Sequence, residues 1–204
     1  MDAREKLERL FAMFPGIGPR QAKRFVYFLL TRNSNFISEL SLALADVKKN
    51  VSQCASCYRF FPSDTNTMCQ ICRGANTDQS TVLVVEKDVD FENVNKSGFY
   101  NGRFFILGGL LPILEEEPAK KIRARELVAE IERQAKLGAL KEIIIALSLN
   151  PEGENTYQYV KRILEPVTQK YSISLSTLGR GLSTGSELEY SDGETLKYAI
   201  ENRK

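Results

Sequence analysis

The 204-residue chain contains no histidine, and that absence removes much of enzyme chemistry. Ser-His-Asp and Cys-His hydrolysis, HExxH zinc proteases and the commonest acid/base group at neutral pH all need an imidazole. Carboxylates, thiolates, hydroxyls and cations are left to carry whatever this protein does. Long apolar runs are missing as well, each being far shorter than the ~20 residues a bilayer span requires. Residues 1–12 interleave Asp2, Arg4, Glu5, Lys6, Glu8 and Arg9 with apolar positions, so no secretory signal is expected and the chain reads as cytoplasmic. There is no internal repeat and no low-complexity tract. The remainder suits a globular protein: 43% apolar and 26% charged residues, enough for one large domain or two small ones. Lys and Arg number 28 against 26 Asp and Glu, with the cationic excess in residues 1–80 and the acidic excess beyond. That asymmetry points weakly to nucleic acid at the N-terminal end, the alternative being a solvated mixed-charge surface.

Residues 1–50 read as helical. Leu7, Leu10 and Phe11, then Phe25, Phe28 and Leu29, recur at helical spacing, and Phe14-Pro15-Gly16-Ile17-Gly18-Pro19 between them excludes a continuous helix. The reading is helix, tight hairpin, helix. From Gln53 to Gln79 the periodicity stops, the composition turns to Ser, Thr, Asn and Gln, and all four cysteines appear. From Ser80 onward strand and helix alternate. Thr81–Val85, Phe104–Leu107 and Ile143–Leu147 are continuous β-favouring runs, of the kind buried on both faces of a parallel sheet. Ala124, Leu127, Val128, Ile131 and Ala135 form one helical stripe, and Thr156 to Val167 another, before a short strand at Ser172–Ser176. The predicted fold class is α/β with a largely parallel sheet, preceded by a helix-hairpin-helix region and a cysteine finger, with ligands at the carboxyl ends of the strands.

Cys54-Ala55-Ser56-Cys57 and Cys69-Gln70-Ile71-Cys72 are two CxxC pairs. Two such knuckles can surround one Zn²⁺ with four thiolates, leaving no position for a reactive water, so the expected metal is structural. Disulfides are disfavoured because nothing suggests export. In the hairpin, Gly16 and Gly18 let the backbone turn and offer N–H groups to a phosphate, the next helix points its positive dipole the same way, and Arg20, Lys23 and Arg24 add charge. Such a grip holds DNA without reading bases; a helical corner with solvated cations, or a subunit contact, remains the alternative. Glu86 follows the first strand, and Glu152-Gly153-Glu154 follows the third. These carboxylates could converge on Mg²⁺, or Glu152 and Glu154 could simply favour a helix N-terminus while Glu86 pairs with a nearby cation. The third strand is followed by Glu-Gly-Glu and not by a tight DxD pattern.

Taken in order, these elements resemble the bacterial RecR family of recombination mediators over nearly the whole chain. The resemblance rests on Phe14 to Pro19, the two CxxC pairs, Val84-Val85-Glu86, Leu107-Gly108-Gly109, Glu152-Gly153-Glu154 with Thr156, and the tail. That tail runs from Arg180-Gly181-Leu182 through Gly185 and Glu187-Leu188-Glu189-Tyr190-Ser191-Asp192 to Thr195-Leu196 and Ala199-Ile200. It implies a helix-hairpin-helix region at 1–52, a zinc finger at 53–79, a Toprim domain at 80–176 and a Gly-rich segment with a helix at 177–204. It further implies a non-enzymatic clamp that self-associates, from a dimer to a tetrameric ring. Such a clamp binds duplex and single-stranded DNA and works with RecO and RecF to load RecA at gaps. DNA-contacting positions map to Gly16, Gly18, Arg20, Lys23 and Arg24, zinc ligands to Cys54, Cys57, Cys69 and Cys72, and partner-binding acidic positions to Glu86, Glu152 and Glu154. The chain departs from the family in three places. Leu111 to Pro118, with Glu115-Glu116-Glu117, replaces a Gly-containing Ser-Pro-Leu-Asp segment, Asn150-Pro151 falls two places late, and Ser183 and Ser186 replace Pro and Gly. Two competing readings stand beside the clamp: a Mg²⁺-dependent Toprim nuclease or primase using the three glutamates, and a zinc-stapled protein-interaction module.

Overall fold

A computed structural model describes residues 2–63, 65–114, 117–179, 181, 182, 185 and 187–201. Glu115 and Glu116 of the departing loop, and Arg180, Ser183 and Ser186 of the tail, lie outside the described residues. The chain divides into two compact units, Met1–Val51 and Ser52–Lys204.

The first unit holds α1 (Ala3–Phe11), α2 (Pro19–Leu30) and α3 (Ser34–Asn50). Asp2 starts α1 with a capping box: its carboxylate accepts the Glu5 N–H at 2.7 Å, and the Glu5 carboxylate accepts the Asp2 N–H at 3.2 Å. The hairpin folds α1 onto α2, where Phe11 meets Phe25 edge-on at 5.7 Å and Ala22 and Val26 are buried. Beyond the hairpin the sequence reads as one helix, but there are two. Asn33 accepts the Phe36 N–H at 2.9 Å and so opens α3 as a new helix three residues after α2 ends.

β1 (Val51–Gln53), whose first residue ends the first unit, pairs with β2 (Phe60–Pro62), and in the second unit α4 (Gln70–Arg73) closes the cysteine stretch. There follow β3 (Asp78–Val85), α5 (Asp88–Ser97), β4 (Gly102–Ile106), α6 (Pro118–Lys121), α7 (Ala124–Lys136), β5 (Glu142–Ala146), α8 (Pro151–Tyr171) and β6 (Ser174–Thr177), then a 3₁₀ turn at Leu188–Tyr190 and α9 (Gly193–Glu201). The sheet has the order β4-β3-β5-β6 with every pair parallel, Val85 lying opposite Ile106 on one side and Ala146 on the other. Successive side chains alternate between faces. Val82, Val84, Phe105, Ile143 and Ile145 meet Leu127, Ile131, Val160 and Leu164 from α7 and α8, while Leu83, Val85, Phe104 and Ile106 meet Phe91 of α5. The sequence reading has no helix between the first two strands. A parallel crossover demands one, and α5 supplies it with Phe91 and Val94 among polar neighbours, too thin a stripe to read in advance. Because the chain leaves β3 toward β4 and returns on its other side as β5, a crevice opens at the carboxyl ends of β3 and β5. Among the described residues, no helix is long and apolar enough to cross a membrane.

Candidate functional site

The four cysteines are buried, and their sulfurs all lie within 4.8 Å of one another. Each knuckle is set by local backbone bonds. The Cys54 N–H donates to the Arg59 carbonyl and the Tyr58 N–H to that of Cys54, while the Arg73 N–H donates to the Cys69 carbonyl. The Cys69 amide also donates to the Cys54 sulfur at 3.3 Å. Cys57 and Cys69 sulfurs stand 3.7 Å apart, close to the ~3.8 Å edge of a tetrahedron with metal–sulfur bonds of ~2.3 Å. Proton sharing alone splits the set: hydrogen bonds with Cys57, then Cys69 and Cys72, pull the Cys54 thiol down, and those with Cys54 first push Cys57 up. One divalent cation resolves that conflict, because all four thiols can then ionise on it. The donor set therefore fits a closed metal site, in which the ion would cross-link the two knuckles and leave no position for water.

In the other unit the hairpin turns at Phe14-Pro15-Gly16-Ile17, closed by the Ile17 N–H to the Phe14 carbonyl at 3.1 Å. Gly16 has φ +75°, as the third residue of a turn with Pro second requires. Gly18 is different. Its backbone is extended (φ −82°, ψ 169°), it precedes Pro19 at the start of α2, and a Cβ added there would meet nothing within 4 Å. No side chain caps α2, and its first turn carries no acidic residue. Arg20, Lys23 and Arg24 are exposed on the first two turns, one helical face apart from the buried Ala22 and Val26. Neither glycine is forced by crowding, a Cβ at either meeting nothing within 4 Å.

The acidic positions do not assemble into a cation cage. Among the described residues, the four cysteines are the one group of three or more metal-capable side chains with ligand atoms in mutual reach. Glu86 is 6% exposed. Its carboxylate accepts the Ser148 hydroxyl at 3.0 Å and pairs with Lys87, so β3 and the β5–α8 loop are tied together through it. Glu152 and Glu154 are exposed in the first turn of α8, which Asn150 caps by accepting the Gly153 N–H at 2.7 Å. Gly153 is needed for close approach, since a Cβ there would stand 1.8 Å from the Ser148 carbonyl oxygen.

The structure gives two sets of residues bonding roles that the sequence does not show. Asn155 and Thr156 root the departing loop: the Thr156 hydroxyl accepts the Leu111 N–H at 2.8 Å and donates to the Glu152 carbonyl, while the Asn155 amide donates to the Leu111 and Pro112 carbonyls. Ser56, inside the first knuckle, donates to Glu130 of α7 at 2.6 Å. Glu130 also accepts from Arg133 and Gln134, and it is held below the usual carboxylate value because these bonds, Arg133's foremost, outweigh the burial that opposes ionisation. A glutamate 74 positions from its partner has no local signal to find it by.

Residues 80–175 match the family model described as Toprim domain, and residues 181–204 match that described as RecR, C-terminal. Similar proteins include a "Recombination protein RecR" of Chlorobium phaeobacteroides, 34% identical over 193 residues, covering 95% of this chain and 92% of the relative. Proteins of the same name from Lactobacillus johnsonii (32% over 193 residues, 95% and 92% covered) and Rippkaea orientalis (34% over 200 residues, 98% and 93% covered) are similar along the same length. With the α/β fold, the cysteine cluster and the N-terminal helices in the same order, the chain belongs to the RecR family of recombination proteins.

Proposed function

We propose that this protein is a DNA-binding mediator in recombinational repair that acts as a clamp without chemistry of its own. The observation that carries the reading is the hairpin: an uncapped α2 N-terminus, an open Gly16–Gly18 turn and the exposed Arg20, Lys23 and Arg24 on one side of it. Such a surface binds phosphate in duplex and single-stranded DNA alike, positioning the protein without reading sequence. The relatives named recombination proteins support placing that grip in recombination. Glu86 already serves Ser148 and Lys87, and the chain has no histidine, which supports a clamp over a nuclease or primase. The four cysteines hold one structural Zn²⁺, and the exposed Glu152 and Glu154 belong to a surface for protein partners of the RecO and RecF type, through which RecA is loaded at gaps, with Glu86 behind them fixing the β5–α8 loop through Ser148.

A clamp needs self-contacts. An apolar groove of ≈ 780 Å³ in the first unit, lined by Leu7, Leu10, Phe11, Phe14, Leu29 and Leu44, supplies one for a second copy, and the C-terminal tail supplies the other needed for a ring. Binding to labelled duplex and single strands is expected to fall steeply with salt, because each neutralised phosphate releases counterions. The double variant Lys23→Glu/Arg24→Glu should reduce both affinity and salt slope. Binding that ignores salt removes the hairpin assignment, and a monomer at all concentrations, with and without DNA, removes the clamp. Cleavage of DNA or RNA with Mg²⁺ that disappears in Glu86→Gln replaces the mediator with the Toprim enzyme.

A further inference from the structure

The first cysteine knuckle touches the α/β core at three places. Ser56, between Cys54 and Cys57, is buried and donates to the Glu130 carboxylate, which Arg133 grips through Nε at 2.9 Å and Nη2 at 2.7 Å and Gln134 through its amide at 2.7 Å. The Cys57 carbonyl accepts the Ile106 N–H at 2.8 Å. β4 is an edge strand, so this bond occupies an outward amide that would otherwise be open to pairing. Tyr58, held at φ +63°, lays its ring against Phe105 at 5.4 Å and beneath the Arg123 guanidinium at 5.5 Å. Arg123 in turn donates from Nη1 to the Ile106 carbonyl and from its backbone to the Leu107 carbonyl, each at 2.9 Å. The Ile106 N–H is thus bonded to a metal-ligand peptide and its carbonyl to the arginine stacked on Tyr58.

We propose that Ser56 and Glu130 form an outer shell of the four-cysteine site that clamps its first knuckle to α7, so that metal occupancy controls the order of β4 and the Leu107-Gly108-Gly109 turn. The proposal rests on the metal reading above. Two knuckles joined through one ion are rigid, and only a rigid knuckle can present the Cys57 carbonyl to Ile106 and the Tyr58 ring to Phe105 together. Without the ion the knuckles are held to one another by single hydrogen bonds, from the Ala55 N–H to the Thr67 carbonyl and from the Cys69 N–H to the Cys54 sulfur, and the Ser56 contact is one more single hydrogen bond. The coupling should also run backwards, since outer contacts fix the orientation of the ligands and their loss typically costs about 10- to 100-fold in metal affinity.

The test uses the full chain. Metal content is measured first, then the rate of Zn²⁺ transfer to a chromophoric chelator and the d–d absorption of the Co²⁺-substituted protein, for wild type, Ser56→Ala and Glu130→Gln. Both variants should release zinc on the order of tenfold faster, with altered Co²⁺ bands and unchanged far-UV circular dichroism. Chelation of the wild type, which needs no variant to fold, should accelerate hydrogen exchange at Phe104 to Gly109 as well as at the finger. Full metal content with equal release rates in all three proteins overturns this proposal alone, as does exchange that accelerates only within residues 53–79. A chain that binds neither Zn²⁺ nor Co²⁺ overturns the metal reading with it.

Discussion

Replacing Gly18 with aspartate should move stability and DNA binding in opposite directions. The site accepts a side chain without strain: φ is −82°, ψ 169°, and a Cβ has no neighbour within 4 Å. α2 has no side-chain cap and no acidic residue in its first turn, so an aspartate supplies both. A cap is worth a few tenths of a kcal/mol over glycine, a negative charge on the helix dipole about 0.3–1 kcal/mol, and the reduced freedom of the unfolded chain about 0.4–1 kcal/mol. The sum is about 1–2 kcal/mol, which slows hydrogen exchange of the α2 amides roughly five- to thirtyfold where opening is local. The same carboxylate sits where the hairpin offers its N–H groups to a phosphate. Losing that contact should weaken binding about tenfold and lower the log–log salt slope by about one. Gly18→Ala is the control, since it adds bulk without charge, and its gain from reduced freedom of the unfolded chain is about offset by alanine's poorer fit at a cap, so it should change both quantities little. Anisotropy with a labelled duplex at several salt concentrations, beside exchange of α2, reads both effects. If Gly18→Asp protects α2 and leaves DNA binding and its salt slope untouched, the phosphate does not dock at this turn.

Cys69→Ser should lower the metal content below one ion per chain and loosen the second unit, measurable by metal analysis and urea unfolding. Gly153→Ala forces a Cβ to 1.8 Å from the Ser148 carbonyl oxygen and should cost about 2–3 kcal/mol in the same unfolding assay; wild-type stability would show that the loop yields freely. On the acid side, Glu130 has its folded value lowered. Its contribution is therefore complete above the ordinary carboxylate value and is lost as pH falls through the folded one, so Glu130→Gln should flatten the acid limb of a stability–pH profile. On the alkaline side, burial pushes Tyr100 up to about 12. Stability from that group is present below about pH 10 and lost as pH rises toward 12. With eight tyrosines and no tryptophan, an ultraviolet titration should show a late-ionising fraction, to which Tyr58 also contributes because burial raises it, and a reduced late fraction in Tyr100→Phe checks the assignment.

The cysteine spacing, the Pro-Gly turn and the apolar runs are local signals, and they were legible because local geometry suffices to generate them. A CxxC closes one turn, Gly16 must adopt a positive φ after Pro15, and Thr81 to Val85 has no polar face to expose. The helix α5 was not legible, because one face pressed on an edge of the sheet needs only Phe91 and Val94. The break between α2 and α3 turns on one asparagine cap among residues that suit either a loop or a helix. The three glutamates were legible as residues of strand ends, but their arrangement in space was not. Whether carboxylates converge depends on strand order and loop course, and here Glu86 turns inward to Ser148 while Glu152 and Glu154 face solvent.

By itself the sequence determined the exclusion of imidazole chemistry, the paired spacing of the four cysteines, the Pro-Gly hairpin with its basic residues and the α/β alternation, because each is fixed by residue type and short-range spacing. Tertiary structure alone decided that the strands lie in the order β4-β3-β5-β6, that the finger is bonded into the sheet edge through Cys57 and Ile106, and that Ser56 finds Glu130 across 74 positions. Those contacts join residues distant in the chain: apolar burial on both sheet faces favours them, and the polar groups buried with it cost little because the folded chain brings their partners within reach.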